Sequence, residues 1–361
     1  MVYDVLVVGA GQAGLATAYA LQQQGLNYMV LEAGARAAGS WPSYYDSLRL
    51  FSPARYSSLP GLPFPGDPER YPHRDEVVDY LESYAQHFAV PITFHSRVTR
   101  VERDGTLFSV QAGSQRWQTR AVVVASGPFN QPNIPDFPGL KQFQGQVLHS
   151  SAYHRPTEIA GQRVMVVGAG NSAVQIAYEL ANTHDVILTS RQEPHFIKQR
   201  PFGKDVHFWL RLIGLDTSPL GARFLSGGAT PVLDTGRYRQ ALAEKKFIWK
   251  PLFERLDERS VQWAGESKPI DTLILATGFV DRPPYLEGLD GHDAATAAQQ
   301  RAGISTHVPG LYFVGVSWQR AHASATLRGV GADARHVVKH MHHYLKLKSS
   351  RPTAGLVPRC C

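Results

Sequence analysis

Cysteine is almost absent from this chain of 361 residues, because the only two, Cys360 and Cys361, are its last residues. Their position excludes an interior disulfide, a thiolate zinc site, a CxxC redox pair and a cysteine nucleophile from the fold. No apolar run reaches the ~18 residues that a membrane-spanning helix needs. These absences lead us to expect a globular protein that has no membrane partner and does not use thiol chemistry.

Runs of like charge are absent as well. The net charge is +7 and the isoelectric point is about 9.3, but the arginines and lysines are dispersed along the chain. We therefore expect no nucleic-acid partner and attribute the basic surface to solvation and to attraction of anionic cofactors. The first residues lack the basic segment and cleavage site of an export signal, so we expect a cytoplasmic protein.

Two segments of the chain are similar to each other. Residues 4 to 21 (DVLVVGAGQAGLATAYAL) and residues 163 to 180 (RVMVVGAGNSAVQIAYEL) are identical at nine of eighteen positions. Each reads as a buried strand, a glycine-rich turn and a helix, the order that opens a dinucleotide-binding βαβ unit. One such motif is a weak signal, whereas two in the right context predict two nucleotide sites.

Each residue type in these turns has its own role. The first glycine makes the tight turn, the second lets the backbone approach a pyrophosphate, and the third small residue lets the helix pack on the strand. These positions are Gly9, Gly11 and Gly14 in the first copy and Gly168, Gly170 and Ala173 in the second. The adjoining residues of the two predicted phosphate cradles are Gln12, Ala13, Asn171 and Ser172.

The second strand of each unit distinguishes the two nucleotides. The first strand (27 to 31) ends at Glu32, 23 residues after Gly9, and the second (185 to 190) ends at Arg191, 23 residues after Gly168. A carboxylate there hydrogen-bonds a ribose 2′-OH, whereas a guanidinium suits the 2′-phosphate of NADPH. A plain surface acid and a plain surface arginine are the structural alternatives. Ala33, Ser190 and Gln192 flank these residues and belong to the predicted sites.

Three further motifs lead to a resemblance. They are FQGQVLHS at 143 to 150, which fits FxGxxxH followed by serine; ATGF at 276 to 279, with Thr277 and Gly278; and Gly39-Ser40-Trp41. With the paired turns, they make the sequence resemble the flavin-containing monooxygenases over nearly its whole length. The stretch YDSLRLFSP at 45 to 53 is similar to a short bacterial subgroup that includes arsenic-operon-associated flavoproteins.

The resemblance implies an α/β flavoprotein with two Rossmann-like dinucleotide-binding domains, one inserted in the other. Strand-like runs at 121 to 127, ending at Gly127, and at 272 to 279 are the expected points of exchange, with a Pro- and Gly-rich linker at 128 to 139. We expect a discontinuous FAD-binding domain at 1–155 and 276–361 and an NAD(P)H-binding domain at 156–275.

The resemblance also implies a reaction. FAD would be reduced by NADPH and would react with O2 to form a C4a-(hydro)peroxyflavin. This species would oxygenate a small-molecule thioether (sulfoxidation) or amine, or a ketone in a Baeyer–Villiger reaction. Tyr153 and Arg155 stand where Baeyer–Villiger enzymes tend to carry Trp-Pro, which favours the first branch. The family default is a homodimer.

Several residues are site candidates through the same resemblance. Leu48, Arg49 and Phe51 lie in the flavin-side stretch, where Phe51 occupies the place of an Asn that supports the oxygenated flavin. Gly315 lacks the acid that often follows it, and Gln192 replaces a Thr, so NADH is a candidate second donor. Thr326 and Leu327 begin the last helix, whose N–H groups would face the reduced flavin.

Two of these residues keep two interpretations each. His149 either positions the nicotinamide nucleotide and couples the domains, or is a structural histidine that holds the linker. Arg49 either faces the flavin or NADP⁺, or pairs with a carboxylate.

The function also keeps alternatives. An NAD(P)H oxidase or flavin-dependent reductase that inserts no oxygen remains open because of Phe51, and a nucleotide-binding redox sensor is the second alternative. We expect no metal, because His336 and His340 read as part of a helix end with no acidic or thiol co-ligand nearby. Residues 348 to 361 lack a periodic pattern and are expected to fray.

Overall fold

The computed structural model describes residues 1–214, 216 and 231–349. The strands are β1 (Val2–Val8), β2 (Tyr28–Leu31), β3 (Ile92–Thr93), β4 (Val98–Asp104), β5 (Leu107–Ala112), β6 (Gln115–Val124), β7 (Gln146–His149), β8 (Arg163–Val167), β9 (Asp185–Ser190), β10 (Phe196–Lys198), β11 (Val232–Asp234), β12 (Ile248–Pro251), β13 (Arg255–Leu256), β14 (Ser260–Trp263), β15 (Glu266–Pro269), β16 (Thr272–Leu275), β17 (Gln300–Arg301), β18 (Ile304–Ser305) and β19 (Leu311–Phe313). The α-helices are α1 (Gln12–Gln23), α2 (Arg74–His87), α3 (Asn171–Leu180), α4 (Val206–Leu212), α5 (Arg237–Ala243), α6 (Ala294–Ala297) and α7 (Leu327–Ser349).

The first sheet is built around the strand of the first glycine turn. Its order is β17-β18-β19-β6-β1-β2-β3, with β19, β6, β1, β2 and β3 parallel. The long strand β6 also pairs with β5 of an antiparallel hairpin through its first half. Val5 and Val7 of β1 pack on the helices, and Leu6 and Val8 pack on the hairpin side. Burial of both faces explains why β1 is continuously apolar and does not alternate.

The second sheet repeats this plan. Its order is β12-β9-β8-β16-β7, and all its pairings are parallel. Val164 and Val166 of β8 pack with α3, while Met165 and Val167 face the side covered by the β13–β14–β15 meander. The sequence similarity of the two segments is therefore carried into equivalent places in two sheets.

The chain crosses between the two sheets twice. The chain leaves β6 and enters β7, and it leaves β16 to return to the first sheet. Because β7 pairs with β16, the predicted boundary at residue 155 falls after a strand of the second sheet. We propose that the inserted domain begins at Gln146 and ends at Leu275.

The last helix is longer than the sequence pattern indicated. The segment from Arg335 to His340 was expected to end a helix, but α7 continues to Ser349 and places it in mid-helix. His340 Nδ1 lies 3.2 Å from the hydroxyl of Tyr312, and His342 Nδ1 lies 2.7 Å from Gln24 Oε1. These contacts give both histidines structural partners. The rest of the predicted frayed end, from residue 350, lies outside the described residues.

The first glycine turn gives a test of packing. A Cβ added at Gly14 would lie 1.9 Å from the carbonyl oxygen of Gly9, so the backbone of the turn would have to move. We expect Gly14→Ala to lower the free energy of unfolding by about 1–3 kcal/mol, the usual cost of overpacking. Thermal and urea unfolding followed by circular dichroism measure this change.

The matched control is the equivalent turn of the second unit. A Cβ at Gly170 would meet no atom within 4 Å. Gly170→Ala should therefore unfold within about 1 kcal/mol of the wild type, the cost of a poorer helix cap. Equal destabilisation by both substitutions would contradict the close approach at Gly14.

Candidate active site

The predicted residues of the first unit meet at one edge of its sheet. Gly9 follows β1, Glu32 follows β2, Gly127 follows β6 and Gly315 follows β19. These strands are parallel and in register, so their carboxyl ends open at the same edge. Ligands of open α/β sheets bind in the crevice outside such carboxyl ends.

The start of α1 is shaped for an anion. Its N-cap is Gly11, and within the described residues no side chain caps it, although Ala13 and Gly14 in its first turn are buried. Gly39, at φ +54°, faces Gly11 so closely that a Cβ there would lie 2.8 Å from the Gly11 Cα. A buried helix start without a cap needs another partner for its N–H groups. The residues present therefore fit a pyrophosphate.

Gln12 ties the predicted cofactor segments together. Its Nε2 donates to the carbonyl of Ala325 (2.7 Å), and its Oε1 accepts from Trp41 Nε1 (3.0 Å). The Gly-Ser-Trp turn and the segment before α7 are thereby fixed at the start of α1. The remaining candidates here are half-buried Ala33, Ser40 within the Gly-Ser-Trp turn, Thr326, whose hydroxyl donates to the Ala323 carbonyl, and buried Leu327.

Glu32 is held by backbone groups of its own chain. The side chain is 6% exposed; Oε2 accepts from the N–H of Ala10 (2.6 Å) and Oε1 from that of Gly34 (2.8 Å). A carboxylate has about four acceptor sites, so two remain for a ribose hydroxyl. The surface-acid alternative does not fit, because the side chain is buried.

The second unit repeats the edge arrangement. Gly168 follows β8, Arg191 follows β9, Thr277 and Gly278 lie just beyond β16, and His149 ends β7. The N-cap of α3 is Gly170, again with no side-chain cap in the described part of the chain. The other candidates at this start are Asn171, whose Oδ1 accepts from the Leu233 N–H at 3.3 Å, exposed Ser172 and buried Ala173.

Arg191 and Gln192 are both exposed at the end of β9. Buried Ser190 fixes the backbone there, because its hydroxyl donates to the Gln192 carbonyl (2.6 Å) and accepts from Trp249 Nε1 (2.9 Å). In the described residues Arg191 has no ion pair. The guanidinium is therefore available to an external phosphate.

Both ring nitrogens of His149 are used by the chain itself. Nδ1 accepts from the N–H of Ser151 (3.1 Å), so Nε2 carries the proton and donates to the carbonyl of Gly278 (2.9 Å). The residue is 7% exposed, and burial lowers its pKa. This geometry supports the structural interpretation, in which His149 holds the loop after β16.

A row of aromatic rings connects the two edges. Trp41 contacts Tyr44 (5.4 Å between centroids), Tyr44 contacts Phe129 (5.1 Å), Phe129 contacts Phe279 (4.6 Å), and Phe279 contacts His149 (4.9 Å). The row runs from the first unit through the outgoing linker to the loop after β16. It fixes the relative position of the two nucleotide edges.

A cleft lies between the two units and encloses about 440 Å³ of empty space, including its open mouth. The first unit contributes Arg49, Phe51 and Tyr71, and the second contributes Gln175 and Arg237, among others. Arg49 has no carboxylate partner in the described residues, so the pairing alternative is not seen. Leu48 is not part of this lining and packs on the core of the second unit.

Sequence reasoning missed a buried polar group beside the cleft. The carboxylate of Asp205 accepts from His207 Nδ1 (2.6 Å) and from the hydroxyl of Tyr71 (2.7 Å). Burial lowers the pKa of His207. Asp205 also caps α4, so an Asp before an apolar helical run was the available signal.

A second missed pair joins the inserted unit to the last helix. Asp216 accepts bidentate hydrogen bonds from the guanidinium of Arg328 at 2.8–3.1 Å, and both side chains are nearly buried. Desolvation and the adjacent cations compete at this carboxyl, and its pKa is held well below the usual range. Nothing in the local sequence pairs residues 112 positions apart.

The comparisons with known proteins agree on one family. The family described as pyridine nucleotide-disulphide oxidoreductase matches residues 6–212. A CzcO-like oxidoreductase of Geobacillus kaustophilus is 35% identical, over 93% of this chain and 97% of the relative. The indole-3-pyruvate monooxygenase YUCCA1 of Oryza sativa is 31% identical, over 93% of this chain and 91% of the relative. A flavin-containing monooxygenase from Stenotrophomonas maltophilia is 32% identical and superposes with a TM-score of 0.82, covering 95% of this chain and 99% of the other.

The chain belongs to the flavin-containing monooxygenase family.

Membership confirms several of the sequence predictions. The protein is an α/β flavin-dependent oxidoreductase with two Rossmann-type domains, and its cofactors are FAD and NADPH. The enzyme assignment excludes the redox-sensor alternative. The disulphide chemistry in the description of the matched family has no counterpart here, because no cysteine precedes residue 360.

The described residues contain neither a metal-type cluster of side chains nor a helix suited to a membrane. Nowhere in residues 1–214, 216 and 231–349 do three His, Cys, Asp or Glu side chains gather as they would around a metal ion. Within the same residues, no helix combines the length and apolar character needed to cross a membrane.

The burial of His149 predicts a pH dependence of stability. Its pKa is lowered in the folded protein, so below about pH 6.5 the unfolded chain binds the proton more readily and stability falls. His149→Gln retains a donor for the Gly278 carbonyl and removes this titration. We expect the variant to lose less free energy of unfolding than the wild type between pH 7 and pH 5, as measured by urea unfolding.

The control for this measurement is His195→Gln, because His195 is exposed. In His195→Gln, the free energy of unfolding should change with pH as it does in the wild type. Part of the slope should persist in His149→Gln, since burial also lowers the pKa of His207. An unchanged slope in His149→Gln would contradict the buried neutral state.

Proposed function

We propose that this family member is an NADPH- and O2-dependent monooxygenase of a small organic substrate with a soft nucleophile, a thioether or an amine. The overall change is substrate, O2, NADPH and a proton giving the oxygenated substrate, NADP⁺ and water. The observation that carries the proposal is the cleft between the two units, which is lined by residues of both. A reaction that needs both nucleotides and a third small molecule requires such a place.

The residues at the carboxyl ends of the two parallel sheets would bind the two nucleotides. The uncapped starts of α1 and α3 would bind the two pyrophosphates, and Glu32 would bind a ribose hydroxyl. When bound, the flavin supplies hydride acceptance and reaction with O2. The aromatic row from Trp41 to His149 would hold the nucleotides in register and keep water away from the space between them.

Tyr153 supports the thioether or amine branch. It stands where Baeyer–Villiger enzymes tend to carry Trp, is fully buried, and donates its hydroxyl to Glu179 Oε2 (2.8 Å). Tyr153 is thus a core residue, and the Trp-Pro pair that Baeyer–Villiger enzymes tend to carry has no equivalent at this place in the chain. Ketone oxygenation is therefore the second choice.

One residue supports the competing oxidase. Phe51 is 37% exposed at the cleft and offers no polar side-chain atom, and its carbonyl is occupied by Gln199 Nε2 (2.5 Å). Phe51 would therefore offer no hydrogen bond to a bound flavin where the family carries an Asn, which would favour release of hydrogen peroxide over oxygen transfer. We therefore expect measurable peroxide formation beside oxygenation.

The test is product analysis under ¹⁸O2. NADPH oxidation is followed with 4-(methylthio)benzoate, methyl p-tolyl sulfide, benzylamine and cyclohexanone, and oxygenated product and peroxide are quantified per NADPH. We expect sulfoxide or N-oxygenated product with one labelled oxygen, and a larger product fraction in Phe51→Asn. If one hydrogen peroxide forms for each NADPH oxidised with every substrate, in both wild type and variant, the protein is an oxidase instead.

Arg191 should set the preference for NADPH. We expect Arg191→Ala to raise the KM for NADPH at least tenfold, because charge-assisted hydrogen bonds contribute about 1.5–3 kcal/mol. The KM for NADH should change less than about twofold, since NADH has no 2′-phosphate. Initial rates of flavin reduction with each nucleotide measure both values.

Arg301→Ala is the matched control, because Arg301 is an exposed arginine in the first sheet, on β17. It should leave both KM values unchanged. Equal losses for NADPH and NADH in Arg191→Ala would refute the assigned role.

Location and assembly remain proposals from the sequence. We propose a cytoplasmic homodimer, the default of the family; size-exclusion chromatography with light scattering tests the dimer.

A further inference from the structure

Among the residues described, the cleft between the two units has two arginines and no acid in its lining. Its charged lining residues are Arg49 from the first unit and Arg237 from the second, and no Asp or Glu lines it. Neither arginine forms an ion pair with a carboxylate in the described part of the chain. Two uncompensated guanidinium groups in one concave site attract an anion.

Arg237 is positioned by aromatic rings and not by an acid. Its guanidinium lies 4.5 Å from the ring centroid of Tyr238 and 5.7 Å from that of Tyr178, and it donates to the Tyr238 hydroxyl. Stacking of this kind fixes the plane of a guanidinium while leaving N–H groups for a ligand.

The nearest acid in sequence does not neutralise Arg237. The carboxylate of Asp234 is buried and accepts from the backbone N–H groups of Gly236, Tyr238 and Arg239 at 2.9–3.1 Å. Its charge is therefore used to order the start of α5. Arg237 also occupies the first turn of that helix, where the helix dipole disfavours a cation, so its local stabilisation comes from the two tyrosine rings and not from the helix.

Neutral groups of the cleft add a donor and an apolar wall. Gln175 Oε1 accepts a hydrogen bond from the Tyr45 hydroxyl (2.7 Å). The amide oxygen is therefore occupied, and the amide NH2 group of Gln175 is left to donate to a ligand. Phe51 presents its ring beside these groups. The lining therefore combines two cations, a neutral donor and an apolar surface, as expected for an organic acid.

We propose that this cleft binds a carboxylate of the substrate, with Arg49 and Arg237 as its cationic partners and Gln175 as a neutral donor. The inference rests on the proposed function and narrows its substrates to anionic thioethers or amines. The other source of the same chemistry is a phosphate of the nicotinamide nucleotide, since Asn171 at the start of α3 contacts Leu233 of the lining.

The test compares two probes of the same shape. They are 4-(methylthio)benzoate and methyl p-tolyl sulfide, in which a methyl group replaces the carboxylate. Each is titrated into the oxidised FAD-loaded enzyme by calorimetry. We expect the benzoate to bind at least tenfold more tightly, because one charge-assisted hydrogen bond changes a dissociation constant by tenfold or more.

Variants assign the effect to the two arginines. Arg49→Gln and Arg237→Gln should each raise the Kd of the benzoate about tenfold and change that of the neutral sulfide less than about twofold. Arg239→Gln is the matched control: Arg239 lies on the same helix, is exposed, and donates to the Phe196 carbonyl outside the lining. It should change neither Kd.

Two outcomes would overturn the proposal. One is equal affinity of the wild type for both probes. The other is a tenfold weaker Kd for NADP⁺ in the arginine variants with an unchanged Kd for the benzoate, which would assign the cations to the nucleotide. Because binding is measured without turnover, tight benzoate binding with no oxygenated product would refute the proposed function and support the subsite.

Discussion

The structure depends on one contact that occurs twice: a helix that starts directly against the end of a buried strand, with no side chain to cap it. The carbonyl of Gly9 occupies the place where a side chain at Gly14 would begin, and in the second unit a Cβ added at Gly168 would lie 3.1 Å from the Cβ of Ala173. This closeness leaves the first N–H groups of α1 and α3 with no protein side chain, at the carboxyl ends of parallel strands. An uncapped helix start takes its hydrogen-bond partners from a ligand or from water, so the packing that leaves these N–H groups free also provides the anion sites for a dinucleotide.

The second constraint is the paired crossing between the units. The outgoing linker and the loop after β16 form an antiparallel bridge between Pro132 and Phe279, and Thr277 donates to the Asn133 carbonyl. His149 adds its bond to Gly278, and the aromatic row continues to Trp41. Two crossings that bond to each other resist independent movement of the units. The relative position of the nucleotide edges is thus fixed by backbone and rings, and not by a catalytic side chain.

The parts that the sequence predicted are those with local patterns. The glycine turns, the strands that precede them and the offsets of Glu32 and Arg191 repeat within the chain, and the structure places each at the expected strand end. The prediction of a helix end near His340 was wrong, because a histidine can lie in mid-helix when it has a partner such as Tyr312. The predicted boundary at residue 155 places β7 in the first domain, although β7 pairs with β16 of the second sheet. A strand of four residues does not indicate in its own sequence which strand it will pair with. The cleft was not predicted, because Arg49, Gln175 and Arg237 come from three segments that share no spacing.

Charge composition alone does not reveal the cleft. The arginines are dispersed in sequence, which is why we expect no nucleic-acid partner. Folding nevertheless brings two of them to a cleft without an acid, while the carboxylates nearby are occupied elsewhere: Asp205 by His207 and Tyr71, and Asp234 by backbone N–H groups. Local electrostatics therefore depend less on how many acids a sequence has than on which of them are already bound. In this fold the buried acids serve caps and core pairs, and the cationic character of the cleft is what remains.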